Sequence, residues 1–420
     1  ATAASMKNHS MRTLQCRHAL LPLVLAVLAA CTTAPPVKPP AAPQVTAPPA
    51  APALPAVYLP ATFADLPGWS DDRADLAWPA LQVGCKRLAA EPATAAVWQS
   101  VCASAASMPA VDAAAARAFF ETHFSAWKVT AADGNDQGLV TGYYEPLLSG
   151  SLVASAQFAT PLYAPPDDLL SVDLASLYPE LAGKRVRARL DGRSVVPYWT
   201  RAEIEQGRAP VAGKALLFVD DAVDAFFLEI QGSGRVRLED GSVVRVNYAD
   251  QNGHPFRSVA RVLIDRGELT ASHASMQAIR AWGREHAADL PALLDENPSY
   301  VFFRIVPPAA PGSLEAAIDG PIGSLGVPLA RERTIAVDPR AIPLGAPVYL
   351  ATTRPLSSTP LQRLVLAQDT GGAIRGAVRA DFFWGFGAEA AREAGRMKQA
   401  ARMWLLWPVD AGVPRVPAPQ

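Results

Sequence analysis

From about residue 72 to residue 128 apolar side chains return every three or four positions, in DLAWPALQVGCKRLAA, TAAVWQSVCASAA and DAAAARAFFETHFSAWKV. That period marks one face of a helix, so three helices are expected there. The pattern then changes. GLVTGYYEPLLSGSLV, AFFLEIQGSGRVRL and SVVRVNY are short runs rich in β-formers and broken by glycine, and read as strands. LEDGS (238–242) between the last two is a hairpin turn signal. Helix returns in SMQAIRAWGREH (275–286) and in a second segment reaching about Asn297. From SYVFFRIV (299–306) onward the strands TIAVDP, PVYLAT, QRLVLAQD and MWLLWPV follow, with one helix at GAEAAREAGRMKQA (387–400). The order predicts an α+β chain, mostly β, in which irregular barrels fit better than a parallel βαβ sheet.

The first residues carry a different signal. Lys7, Arg12 and Arg17 precede the apolar run ALLPLVLAVLAA (19–30), which ends at Cys31. A basic stretch before about a dozen apolar residues is a secretory signal, too short to span a bilayer comfortably. Leu28-Ala29-Ala30-Cys31 resembles the bacterial lipoprotein lipobox, in which Cys31 becomes the acylated first residue; the other reading is an ordinary signal peptide with a chance cysteine. Residues before Met6 or Met11 are set aside as upstream of the true start. Residues 32–56 are rich in Pro and Ala with a single charge, and read as a semi-rigid tether. Residues 1–31 are therefore expected to be leader and signal, and the working part to act outside the cytoplasm. Thr32 after Cys31 favours the outer membrane, facing the periplasm, by analogy with lipoprotein sorting.

Composition narrows the chemistry. A net charge of −1 and a pI near 6.7 give no electrostatic case for nucleic acid. His123, His254, His273 and His286 show no metal-ligand spacing, and neither metal nor cofactor is expected. Cys16 leaves with the leader. Cys85 and Cys102 either pair in an oxidising compartment or remain two buried thiols, with no catalytic role in either case. The sequence has no P-loop, no G-x-S-x-G and no H-E-x-x-H; Gln231-Gly232-Ser233-Gly234 reads as a bulge or a close backbone approach.

Three aspartates each end or follow a β-like run: Asp338 in TIAVDPRAIPLG, Asp369 in LAQDTGGAIRG and Asp381 in AVRADFFWGFG. Each alone reads as a turn residue or as a carboxylate held at a cleft. The glycines between Asp369 and Asp381 allow a tight turn that brings the two together, and neighbouring carboxylates keep one proton near neutral pH. Phe382, Phe383, Trp384 and Phe386 would desolvate Asp381, though two of the four rings are expected in the core. Asp369-Thr370-Gly371 matches the aspartic-protease signature, but the chain has no second copy to form a dyad.

Beyond these local readings, TGYYEP (141–146), FFLEIQGSG (226–234), NGHPFRSVARVLIDRGE (252–268), SMQAIRAWGREH, NPSYVFF (297–303) and AQDTGGAIRG occur in fixed order. Over about residues 138–410 the chain closely resembles the membrane-bound lytic murein transglycosylase A family, whose C-terminal module is named for three aspartates. The resemblance implies a double-psi β-barrel formed by residues 57–147 and 251–413, with N-terminal helices. A smaller barrel-like β-domain, 148–250, would be inserted, with a groove between the two. It implies cleavage of peptidoglycan glycan strands at the N-acetylmuramic acid–N-acetylglucosamine bond, leaving a 1,6-anhydro end. Asp381 would be the general acid and then base, and Asp369 would tune it and support the transition state. Thr141, Gly142, Tyr143, Tyr144 and Gln231 would contact sugar, and Asp338 would be structural. Expected partners are glycan strands, a membrane through the lipid on Cys31, and proteins of wall synthesis or remodelling. The competing readings are a wall-binding lipoprotein without activity and a hydrolase, for which Glu145 is the only obvious second carboxylate.

Overall fold

The computed structural model describes residues 56–415 except 109, 179, 180, 182, 183, 185 and 272. The leader, Cys31 and nearly all of the tether lie outside the described residues. The chain opens with strand β1 (Ala56–Ala61), helices α1 (Trp78–Ala90), α2 (Pro92–Ala106) and α3 (Ala113–His123), and strands β2 (Phe124–Ala131) and β3 (Gly138–Glu145). Asp112 caps α3 by accepting from the Ala115 N–H at 2.8 Å. The helix predicted to run on through FSAWKV stops at His123. Those residues form β2 because they bond to β1 on one edge, and the aromatic and branched side chains of Trp127, Val129 and Thr130 suit a pleated surface.

Next come β4 (Leu147–Ser151), β5 (Thr160–Tyr163), β6 (Leu170–Val172), β7 (Val186–Asp191), β8 (Ser194–Pro197), α4 (Arg201–Glu205) and β9 (Ala215–Val219). They are followed by α5 (Ala222–Gln231), β10 (Ser233–Arg237), β11 (Val243–Gln251), α6 (Val259–Asp265), α7 (Met276–Glu285), α8 (Leu290–Asp295) and β12 (Val301–Val306). The segment AFFLEIQ, expected as strand, is helix α5. Asp221 accepts from the N–H groups of Val223 and Asp224 at its start, and Gly232 ends it in the left-handed region at φ 77°. Two good caps outweigh the β-like look of Phe226-Phe227-Leu228. The last part holds β13 (Thr334–Val337), β14 (Pro347–Thr353), β15 (Pro360–Thr370), β16 (Arg379–Phe386), α9 (Gly387–Ala394) and β17 (Lys398–Pro408). Helix α9 is shorter than predicted, because Lys398–Ala401 pair with β3 instead.

Strands β3, β17, β14, β15, β13 and β16 bond in that order, and β16 returns to β3 in parallel, closing a six-stranded barrel. β2 and β1 extend the sheet from β17. The core lies inside the ring and under α1–α3, around Trp98, Phe120, Phe124, Tyr349 and Trp384. A second sheet, β12-β11-β10-β4-β9-β5, begins one residue after β3. The boundary expected at residue 250 falls within β11, and β12 pairs with β11, so this sheet reaches Val306. A disulfide, Cys85–Cys102, joins α1 to α2 with Cα atoms 5.2 Å apart.

That bridge closes a loop spanning 17 residues of sequence, for which chain-entropy arguments give a stabilisation of about 3 kcal/mol. Cys85→Ser is expected to lower the urea midpoint, and dithiothreitol to lower the wild type to the same value while leaving the variant unchanged. Equal midpoints for oxidised and reduced wild type would contradict this.

Candidate active site

Alternation along β16 sorts its side chains. Ala380, Phe382 and Trp384 belong to the barrel core, whereas Phe383 packs with Tyr143, Ala336, Leu329 and Ile374 on the other face. Asp381 shares that second face by period two. Of the four aromatic residues expected around Asp381, Phe382 and Trp384 are therefore core, and Phe386 lies under the Arg235 guanidinium, 3.9 Å from its ring centre.

Pairing registers place the rest. Asp381 stands opposite Thr141 on β3 and opposite Ala336 on β13, and Ala336 in turn stands opposite Asp369 on β15. The two aspartates thus flank one small residue, with backbones about 10 Å apart at two strand spacings. They are not brought into contact by the intervening glycines, as the sequence suggested. Each has its own partners instead.

The Thr141 hydroxyl donates to Asp381 Oδ1 at 2.6 Å, and its oxygen accepts from Arg379 Nη2 at 2.9 Å. Arg379 therefore fixes which way the hydroxyl points. Asp381 Oδ2 has no partner among the described residues. Burial pushes the Asp381 carboxyl up to about 6; the Thr141 hydrogen bond and the Arg379 charge pull down, and repulsion from Asp369 adds the smallest push. The expected influence of Asp369 is present in direction, but desolvation dominates.

Asp369 is saturated. Its Oδ1 accepts from the Ser324 N–H, the Ser324 hydroxyl and the Thr370 N–H, each at 2.9 Å, and its Oδ2 from the Tyr143 hydroxyl at 3.0 Å. Burial raises its pKa, and these four donors, which suit the ionised form, hold it back. Asp338, 1% exposed, accepts from Arg340 Nε at 3.0 Å and Nη2 at 2.8 Å, and from the Gly376 N–H at 2.9 Å. Burial opposes them, but the Arg340 and Gly376 bonds leave its pKa low. It pins the loop between β15 and β16, at a glycine with φ 114°. Glu145 is fully buried, with Arg235 at 2.8 Å and Arg245 at 2.9 Å, and both arginines also reach Asp319.

The positions expected to contact sugar separate. A Cβ on Gly142 would sit 2.7 Å from Trp384 Nε1 and 2.9 Å from Ala394 Cα, so this residue faces the barrel core and α9. Tyr143 is 7% exposed, its ring 5.2 Å from Phe383, so it offers no open stacking face. Gln231 spends its carbonyl on the Tyr144 N–H at 3.1 Å, tying α5 to β3. Sequence reasoning missed Ser324, Arg379 and Ala336. Only Arg379, two residues before Asp381, carried a signal of its own.

Two family models match the chain: the MltA specific insert domain over residues 139–304 and the 3D domain over residues 333–407. Barrel, insert and carboxylate-bearing face together define an enzyme of the lytic murein transglycosylase class. The membrane-bound lytic murein transglycosylase A of Escherichia coli K12 is 33% identical over 297 residues, 67% of this chain and 68% of that protein. A crystal structure of MltA from Neisseria gonorrhoeae superimposes with a TM-score of 0.74 at 36% identity, covering 86% of this chain and 95% of that one. E. coli MltA with bound chitohexaose gives 0.59 at 27% identity, covering 84% and 94%. The chain belongs to the membrane-bound lytic murein transglycosylase A family.

A carboxyl whose pKa is raised by folding costs stability once ionised. The cost is absent below pH 3.8 and complete above about 6, and amounts to at most about 3 kcal/mol. Asp381→Asn is therefore expected to stabilise the protein at pH 7.5 and to have no effect near pH 3.5, as read from urea midpoints at the two pH values.

Proposed function

We propose that this enzyme cleaves the β-1,4 bond between N-acetylmuramic acid and N-acetylglucosamine in peptidoglycan without using water. The observation that carries the reading is the state of the carboxylates. Asp369 and Asp338 are hydrogen-bonded at both oxygens and Glu145 is held between two arginines, whereas Asp381 Oδ2 has neither a hydrogen bond nor an ion pair among the described residues. A hydrolase needs a second available carboxylate to activate water or attack carbon. Here a single group must act twice. Protonated Asp381 gives its proton to the glycosidic oxygen as the bond to the anomeric carbon breaks. The muramic acid C6 hydroxyl then attacks that carbon, and its proton passes to the Asp381 carboxylate. The acid is restored and a 1,6-anhydro ring is left.

Supporting roles follow from the geometry. Thr141 and Arg379 orient Asp381, while the anchored Asp369 carboxylate favours positive charge at the oxocarbenium-like transition state. Tyr144 and Gln231 hold β3 against α5, where the glycan would run between the barrel and the second sheet. We further propose that Cys31 is acylated and that the Pro/Ala-rich segment tethers the enzyme to the outer membrane on its periplasmic side, within reach of wall-building proteins. The relatives' name, membrane-bound, supports an envelope enzyme. No helix among the described residues is long and apolar enough to cross a membrane.

Mass spectrometry of peptidoglycan digested by the purified protein is expected to show muropeptides one water lighter than hydrolysis products. Asp381→Asn should lower turnover by about 10²-fold or more while glycan pull-down persists. Reducing-end products would make the enzyme a hydrolase. Because Asp381 must start protonated, kcat/KM is expected to fall as pH rises through about 6. Thr141→Val, which removes a bond favouring the ionised form, should move that limb to higher pH; movement to lower pH would contradict the assignment.

A further inference from the structure

The second sheet and its helical layer enclose a cavity of about 470 Å³ that lies away from Asp381. Its base is Arg201, 3% exposed and 4.9 Å from the ring centres of both Phe226 and Tyr300. This guanidinium is fully engaged, with Glu229 at 2.7 Å, the carbonyls of Ser299 at 2.8 Å and Asn297 at 3.2 Å, and Glu205 at 3.2 Å. Asp295 acts on the same cluster, so three carboxylates share one cation. Glu205 is not sealed in: its side chain is 36% exposed. Tyr300 lines the cavity at 6% exposure, and its hydroxyl has no hydrogen-bond partner among the described residues. That oxygen opens onto the cavity, where a ligand can bond to it.

The cavity's size suits a small ligand. Its two lining carboxylates, Glu205 and Glu229, against the single guanidinium of Arg201, its aromatic faces and the apolar wall of Leu290 and Leu294 suit a cationic group on an aliphatic chain. We infer that this cavity binds an aliphatic primary ammonium, which would donate to Glu205 and to the Tyr300 oxygen. The source that fits is a side-chain amine on the peptide stems of the wall polymer, an assignment that rests on the peptidoglycan reading above.

Calorimetric titration of the purified protein tests this with three probes: an N-acetylated tripeptide carrying one side-chain amine, its fully acetylated counterpart, and 1,5-diaminopentane. The free-amine peptide should bind and the fully acetylated one should not. Glu205→Gln should weaken binding about tenfold or more, and Tyr300→Phe several-fold, each variant still unfolding in one cooperative thermal transition. Binding of the diamine without the peptide would support the ammonium site and assign it to free diamines. Equal binding of both peptides, no binding of any amine, or full affinity in Glu205→Gln would overturn the inference. Anhydro products from stem-free glycan, measured on the same samples, report separately on the catalytic reading.

Discussion

Strand β3 is bonded on one edge to β16 and, through its first half, on the other to β17, and the site depends on that double engagement. Closing the ring through the first half of β3 joins the six strands with no end strand left over. It also removes any freedom of register, since a slip by one residue would turn Asp381 into the core and Ala380 out. With the register fixed, Thr141 must face Asp381, and Tyr143, two residues on, must reach Asp369. Ala336 on β13 stands between the aspartates and keeps them separate. A carboxylate pair sharing a proton would need contact that this spacing does not permit, so each aspartate is specified by its own donors.

The electrostatic design is one of exclusion. Ionised carboxylates in a low-dielectric setting are costly unless donors or cations offset them. Asp338 meets that requirement fully, Asp369 and Glu145 in large part through four donors and two arginines, and Asp381 with one short bond and a nearby guanidinium. Asp381 is left with an unbonded oxygen and a proton held closer to neutral pH than an ordinary carboxyl holds it. Desolvation does most of this, with Tyr143 and Phe383 on the same face excluding water, and the neighbouring carboxylate does little.

Much of this was legible in the chain. The helices before residue 124, the late strands and the three aspartates follow from periodicity and context, and the family resemblance supplied the order of barrel and insert. The errors have physical causes. AFFLEIQ reads as strand until the caps at Asp221 and Gly232 are weighed, and FSAWKV continues a helical period that long-range pairing overrides. That the missing side chain of Gly142 makes room for Trp384 and α9 could not be read from TGYYEP alone. Ser324 was invisible because its value to Asp369 arises from a contact across 45 residues. The disulfide, open as one of two readings, is formed because α1 and α2 pack side by side.

The same logic explains how the insert stays useful to the barrel. Glu145 is the last residue of β3, and Arg235 on β10 and Arg245 on β11 reach it from the second sheet, while Asp319 meets both arginines from the returning chain. A partly buried charge cluster of this kind adds little net stability, since desolvation of Glu145 and screening at exposed Asp319 offset most of its attraction. Its value is geometric. Two planar guanidinium groups ion-paired with carboxylates from the barrel strand and the returning chain allow few relative orientations of the two sheets. Gln231 on the Tyr144 N–H adds a neutral tie a few residues away. A glycan lying across the junction would meet a surface already set, so binding energy need not be spent on ordering it. Glu145, at the end of the strand that carries Thr141 and Tyr143, is committed to holding the two sheets in place.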